Sequence, residues 1–166
     1  MKTNPELPIS FATSTLKNLL ITNINGQEIS VEDFTVSNDH PNNINDYGPP
    51  ILNLYPFLIN EASGFKNAIR PNKSAPIQDY VLRIHFLLSA TGDHTKLFPH
   101  LLLDSAIKAI IANPIIEFEE FNCTLKITLL PTDTEDSTKI WTTLKSSHKM
   151  SIMLFVDTVF KGSTES

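Results

Sequence analysis

Chemistry in this chain would have to come from five histidines, one cysteine, a run of glutamates and an Arg-x-His pair. A zinc site needs histidines at i and i+4 on a helix, or Cys-x-x-Cys partners, and His40, His85, His94, His100 and His148 meet neither requirement. A hydrolase needs a serine or cysteine activated by a neighbouring base. Asp93-His94 falls at a turn that a nucleophile could approach, yet the sequence has no G-x-S-x-G elbow and places no base near Cys123. His94 therefore reads as a residue that starts a helix. Glu117, Glu119 and Glu120 surround Phe118, and paired carboxylates do acid–base work only where burial drives their pKa values apart. Following Pro114, they read as a solvated turn. None of the five glycines sits in a phosphate-cradling loop. The sequence thus predicts no catalytic residue, no metal ligand and no cofactor. Arg83 and His85 remain. On one strand face they could bind an anion, but they equally suit the wet or interfacial side of a sheet, and the second reading is favoured.

Composition narrows the partners. A formal net charge of -5 and a pI near 5.5 argue against affinity for phosphate backbones, which depends on clustered Lys and Arg. The thirteen basic residues are spread along the chain, and the nearest thing to a cluster, Lys66, Arg70 and Lys73, lies in an expected loop. No apolar run approaches the roughly 20 residues that span a bilayer, and Met1 to Glu6 lead into polar sequence rather than a signal-peptide core. Neither nucleic acid nor a membrane is expected as a partner. Cys123, the sole cysteine, cannot form an internal disulfide, which fits a reducing cytoplasm, and on an apolar strand face it is expected in the core. The length predicts one domain over residues 1–166, with loose termini at 1–8 and 162–166.

Periodicity gives the elements that would position these side chains. Ile9 to about Thr22 reads as a helix with Ala12, Leu16, Leu19 and Leu20 on one side. Glu28 to Val36 changes phase at Glu32-Asp33, which suggests a bulge or two short strands, and Ser37 to Pro50, dense in Asn, Asp, Pro and Gly, reads as an exposed loop. Ile51 to Ile59 is a strand that Pro56 confines to an edge or forces to bulge. A second polar loop spans Asn60 to Pro76. Tyr80, Leu82, Ile84, Phe86 and Leu88 define one face of a long strand, with Val81, Arg83, His85 and Leu87 on the other. A helix from about His94 to Asn113 follows. Leu97, Phe98, Leu101, Leu102, Ala106, Ala109 and Ile110 form its buried side, and His100, Asp104 and Lys108 its solvent stripe.

The stretch after Asn122 is the most patterned. Cys123, Leu125, Ile127 and Leu129 alternate with Thr124, Lys126 and Thr128 as a half-buried strand that Pro131 ends. Thr132 and Glu135 form a capping box for a helix from near Asp133 to about Lys145. Its apolar stripe is only Ile140, Trp141 and Leu144, so Trp141 is expected to anchor it. A further strand carries Met150, Ile152, Leu154, Val156 and Phe160 on one face and Ser151, Met153, Phe155, Asp157 and Val159 on the other. With both faces mostly apolar, it is either central in a covered sheet or covered partly by a second chain. Arg83, His85, Met153, Phe155 and Val159 are accordingly the candidate interface residues. The expected fold class is α/β (α+β): a single domain in which a mixed sheet of about four or five strands is packed by two or three helices.

The segment LKITLLPTDTEDSTKIWTTLKSSHKMSIMLFVDTVF resembles the corresponding part of the cap, or tail-terminator, proteins of phage-tail-like contractile injection systems. The matching elements are the helix bearing Ile140-Trp141 with Leu144, and Lys149-Met150-Ser151-Ile152 leading into the strand. Upstream, ILNLYPFLINEASGFKNAIRP and DYVLRIHFLLSATGDHTKLFPHLLLDSAIKAIIANPII are similar to the family's early strand with its polar loop and to its middle strand, turn and long helix. The resemblance implies a structural protein rather than an enzyme. It implies a homo-hexameric ring that ends the inner tube and engages the sheath protein, assembled in the cytoplasm as part of a phage-tail-like particle. The 37–50 and 60–76 loops and the two-sided strand would supply the contacts, and an extra C-terminal lobe of longer members is expected to be missing after Lys161 to Ser166. The alternative is a monomeric adaptor or binding module of the same or another complex.

Overall fold

The computed structural model describes residues 8–25, 34–61 and 80–160. These residues form three helices, α1 (Pro8–Asn25), α2 (Phe98–Ala112) and α3 (Thr134–Thr143). They also form six strands: β1 (Thr35–Ser37), β2 (Ile51–Glu61), β3 (Tyr80–Thr91), β4 (Ile115–Phe118), β5 (Cys123–Leu130) and β6 (Ser151–Phe160). The strands make one mixed sheet in the order β1-β2-β3-β6-β5-β4, in which β1 runs parallel to β2 and every other pair is antiparallel. The α+β class is as expected. The sheet has six strands rather than four or five, because β1 and β4 are too short, at three and four residues, to show alternation. The phase change at Glu32-Asp33, the polar stretch beyond Glu61 and the ends of the chain lie outside the described residues.

Alternation on β3, β5 and β6 sends Ile84, Phe86, Leu88, Leu125, Ile127, Leu154 and Val156 to one face, where they are buried with Leu52 and Leu54 of β2. Helices α1 and α2 cover this face with Phe11, Leu16, Leu20, Leu102, Ala106 and Ile110 in one continuous core. Each fully buried leucine contributes about 1.5–3 kcal/mol relative to exposure, so this layer supplies most of the stability. Phe11 and Ile24 extend the α1 stripe beyond the residues its spacing suggested, and Phe11 meets the Phe118 ring edge-on at 4.8 Å.

Four local expectations need correction. The helix expected from His94 is broken. Asp93 caps a short 3-10 turn, His94–Lys96, by accepting from Thr95 N at 2.9 Å, Leu97 turns left-handed with φ 58°, and α2 starts only at Phe98. Pro99 cannot donate to a preceding carbonyl, so it is confined to the first turn of α2 and the helix does not extend upstream of it, and Leu97 is left 55% exposed instead of in the core. The cap of α3 is Asp133, whose Oδ1 accepts from Asp136 N at 2.8 Å, while Thr132 donates back to Leu130 O. Met150 lies outside the strand and is exposed. Lastly, 38–50 is seated rather than freely exposed: Pro41 and Ile44 are buried, and Asn53 Nδ2 donates to Asp39 O at 3.1 Å. Side-chain caps such as His40 Nδ1 accepting from Asn42 N satisfy its backbone in place of a sheet. Pro56 does what its type demands, since the β2–β3 register shifts between Pro56 and Leu58.

Candidate functional site

The face of the sheet opposite α1 and α2 is only partly covered. It can be followed as rows of cross-strand neighbours running over β2, β3, β6 and β5. Asn60, Arg83, Asp157 and Lys126 form one row, Leu58, His85, Phe155 and Thr128 the next, and Tyr55, Leu87, Met153 and Leu130 a third. Helix α3 roofs the third row, where Trp141, Ile140, Leu87, Met153 and Ser151 enclose a cleft of about 70 Å³. Trp141 is 3% exposed, the one buried residue of α3, and its Nε1 donates to Ser151 Oγ at 3.3 Å.

The first two rows lie beyond that roof. Arg83 Nε and Nη2 donate to the two oxygens of Asp157 at 2.7 and 2.8 Å, and its Cζ stands 3.9 Å above the centre of the Phe155 ring. The guanidinium is thereby fixed from two directions, by a bidentate carboxylate and by an aromatic face. The hydrogen bond to Asp157 raises the Arg83 pKa further. His85 lies between Phe57, at 6.1 Å, and Phe155, at 5.9 Å. Burial, with the Arg83 charge adding to it against a smaller opposing pull from Asp157, holds the His85 pKa below its ordinary value. The neutral ring is favoured there, so the patch reads as an aromatic step flanked by a closed ion pair rather than as an open anion site.

Of the residues singled out from sequence, Arg83, His85 and Phe155 are brought together, Met153 lies one row away under the edge of α3, and Val159 is half-buried one row the other way, opposite Val81 and Thr124. Sequence reasoning passed over Asp157 as a partner for Arg83, because the pairing needs the β3–β6 register. It also passed over Phe57, which shares this face with Tyr55 and sits at the bulge beyond which Leu58 and Asn60 take over the same face.

A second polar group ties α3 and β6 to the 38–50 loop. Lys149, its side chain 5% exposed, places Nζ 2.6 Å from Asp46 Oδ1 and 3.2 Å from Ser147 Oγ, and Ser147 Oγ donates to Asp46 Oδ2 at 2.9 Å. Burial pushes the Asp46 carboxyl up, but the bonds from Lys149 and Ser147 and the lysine charge outweigh it and hold the group below its ordinary value. A Ser137–His148 contact at 3.1 Å sits at the surface, with no carboxylate bonded to the ring's other nitrogen among the described residues. That pair lacks the oriented base a nucleophilic serine needs. A hollow of about 540 Å³ beside α1, lined by Ile9, Thr13, Lys17, Asn38 and Pro56, has Lys17 as its one charged lining group among the described residues. No helix among the described residues is long and apolar enough to cross a membrane.

Comparison with known proteins bears on this architecture. No curated protein matches the chain in sequence. Among solved structures, it is similar to the PVC sheath/tube terminator of an extracellular contractile injection system in its extended state, with a TM-score of 0.66 and 11% identity over 93% of this chain and 56% of that one. It is also similar to the tube-terminating cap of the anti-feeding prophage, with a TM-score of 0.65 and 11% identity over 94% of this chain and 55% of that one. The chain thus spans about half the length of either. The likeness is one of fold, and the family is fixed by sequence: the Pvc16 N-terminal domain family model matches residues 12–166, and the chain belongs to that family.

Proposed function

We propose that this chain is a structural cap that ends the inner tube of a contractile injection system and engages the surrounding sheath, acting as a ring of six copies. The observation that carries the reading is that a sheath/tube terminator and a tube-terminating cap, from two different particles, share its fold over nearly the whole of this chain. Identical subunits joined head to tail close into a ring only when the contact sets the right rotation, and a ring whose outer side lacks the tube's docking surface stops further addition. The open rows around Arg83, His85 and Phe155, with Met153 and Val159 at their margins, are the surface offered to a neighbouring subunit. A bidentate pair and an aromatic step have fixed geometry, which suits a contact that must set an angle. The role is geometric rather than catalytic, with assembly in the cytoplasm into a phage-tail-like particle.

The test is deletion of the gene in the producing cell, with tube and sheath lengths measured by electron microscopy. Overlong or sheathless tubes, restored by complementation, are expected. Particles of normal length would overturn the reading and leave an adaptor, which a native mass of one 18.6 kDa chain would accompany in place of six.

A further inference from the structure

The floor beneath the 38–50 loop is both polar and buried. Asn53, Ser89 and Ser151 are direct cross-strand neighbours on β2, β3 and β6, on the face opposite the helical core. Thr91 lies two residues further along the same face, and the bond from Ala90 N to Met150 O continues the β3–β6 alignment so that Lys149 comes opposite Thr91. Asn53, Ser89 and Thr91 are 1%, 0% and 2% exposed, yet Asn53 Oδ1, Ser89 Oγ and Thr91 Oγ1 have no hydrogen-bond partner among the described residues. Ser151 Oγ accepts from Trp141 Nε1, and Asn53 Nδ2 donates to Asp39 O. Leaving such a group unsatisfied costs about 1–3 kcal/mol, so three together on one patch demand a common explanation.

We propose that this floor is an internal water-binding site, closed over by the 38–50 loop and by the Asp46–Ser147–Lys149 clasp. Neighbouring β-carbons across strands stand about 4.5–5.5 Å apart, and short side-chain oxygens at that spacing that do not bond one another directly are close enough to share one water. An ordered buried water needs two to four polar partners, and three oxygens are available. The Lys149 ammonium has three protons, of which Asp46 and Ser147 take two, leaving one for the same water. Thr158 Oγ1 is also buried without a partner among the described residues, but it lies on the opposite, apolar face and takes no part.

The experiment is done on the unaltered full chain. Water-to-amide cross-relaxation is measured by NMR, together with a crystal structure at a resolution that shows ordered water. The expected result is a water bonded to at least two of Asn53 Oδ1, Ser89 Oγ and Thr91 Oγ1, and cross-peaks from a water that tumbles with the protein at the amides of residues 89–91. Ser89→Ala with Thr91→Val should abolish those cross-peaks, and Asp46→Asn should weaken them by speeding exchange with bulk solvent. A dry floor in the unaltered chain, or the three oxygens bonded directly to protein atoms, overturns the proposal even if a variant fails to fold.

Discussion

Arg83 of β3 and Asp157 of β6 close on each other through two parallel hydrogen bonds of 2.7 and 2.8 Å, on a face where the Phe155 ring backs the guanidinium. The Arg83 side chain is 35% exposed and that of Asp157 only 14%, so the carboxylate has more to lose. Arg83→Ala, which strands that carboxylate, should cost about 1–3 kcal/mol in urea unfolding, and Asp157→Ala, which leaves the more exposed guanidinium behind, less. A double-mutant cycle should return a favourable coupling of at least about 0.5 kcal/mol. Zero coupling would mean that the pair is no more than a solvated surface contact.

His85 should make stability fall in mild acid. Its pKa is held below the ordinary 6.5, so the folded chain binds that proton more weakly than the unfolded one. Its contribution is therefore complete above pH 6.5 and is lost as the pH falls through the lower folded value. Comparing unfolding of His85→Phe with the parent at pH 7.5 and pH 5.5 checks this, and the loss of stability on acidification should be smaller in the variant. Equal losses would show that other groups carry it.

Trp141 is the one buried side chain of α3, a helix otherwise mostly polar and rich in Thr. Trp141→Ala should cost about 3–5 kcal/mol, and Trp141→Phe should cost less, since only the bond to Ser151 and part of the ring are removed. If the alanine variant loses under 1 kcal/mol, about the level of a surface change, α3 is held by something else.

The Cys123 thiol is 2% exposed, and burial pushes its pKa up to about 11. An aromatic disulfide reagent at pH 8 should therefore modify it only at the rate at which the domain opens. The same reagent should react at once in denaturant. Immediate reaction under native conditions would place the thiol at the surface.

Val159, at the margin of the open rows, offers the assembly test. Val159→Asp should leave the monomer folded by circular dichroism while abolishing any native mass above 18.6 kDa. Outright misfolding would assign that face to the subunit's own core.

How much of this could be read from sequence depended on how each segment is buried. β3, β5 and β6 were legible because one face of each is sealed, and sealing a single face writes alternation into the residues. β4 was not legible: an edge strand pairs only through its backbone, and Glu117 and the following Glu119-Glu120 look the same in a strand as in a solvated turn. The 38–50 loop looked free because its anchors are side chains meeting partners from distant segments. Asp46 meets Lys149 and Asn53 meets Asp39, and nothing local marks either pair. At the candidate site, Arg83 and His85 were visible as a pair two positions apart. Asp157 needed the register.

The place of β6 between β3 and β5 has a consequence for how the domain is made. β1 to β3 and β4 to β5 form two part-sheets that share no strand boundary until residues 151–160 are inserted between them. During synthesis both part-sheets wait with an open edge, and ribosome-bound chains lacking Ser151–Phe160 cannot close the core. Folding is therefore delayed until β6 has left the ribosome, and the waiting edges are where self-association of the nascent chain would begin.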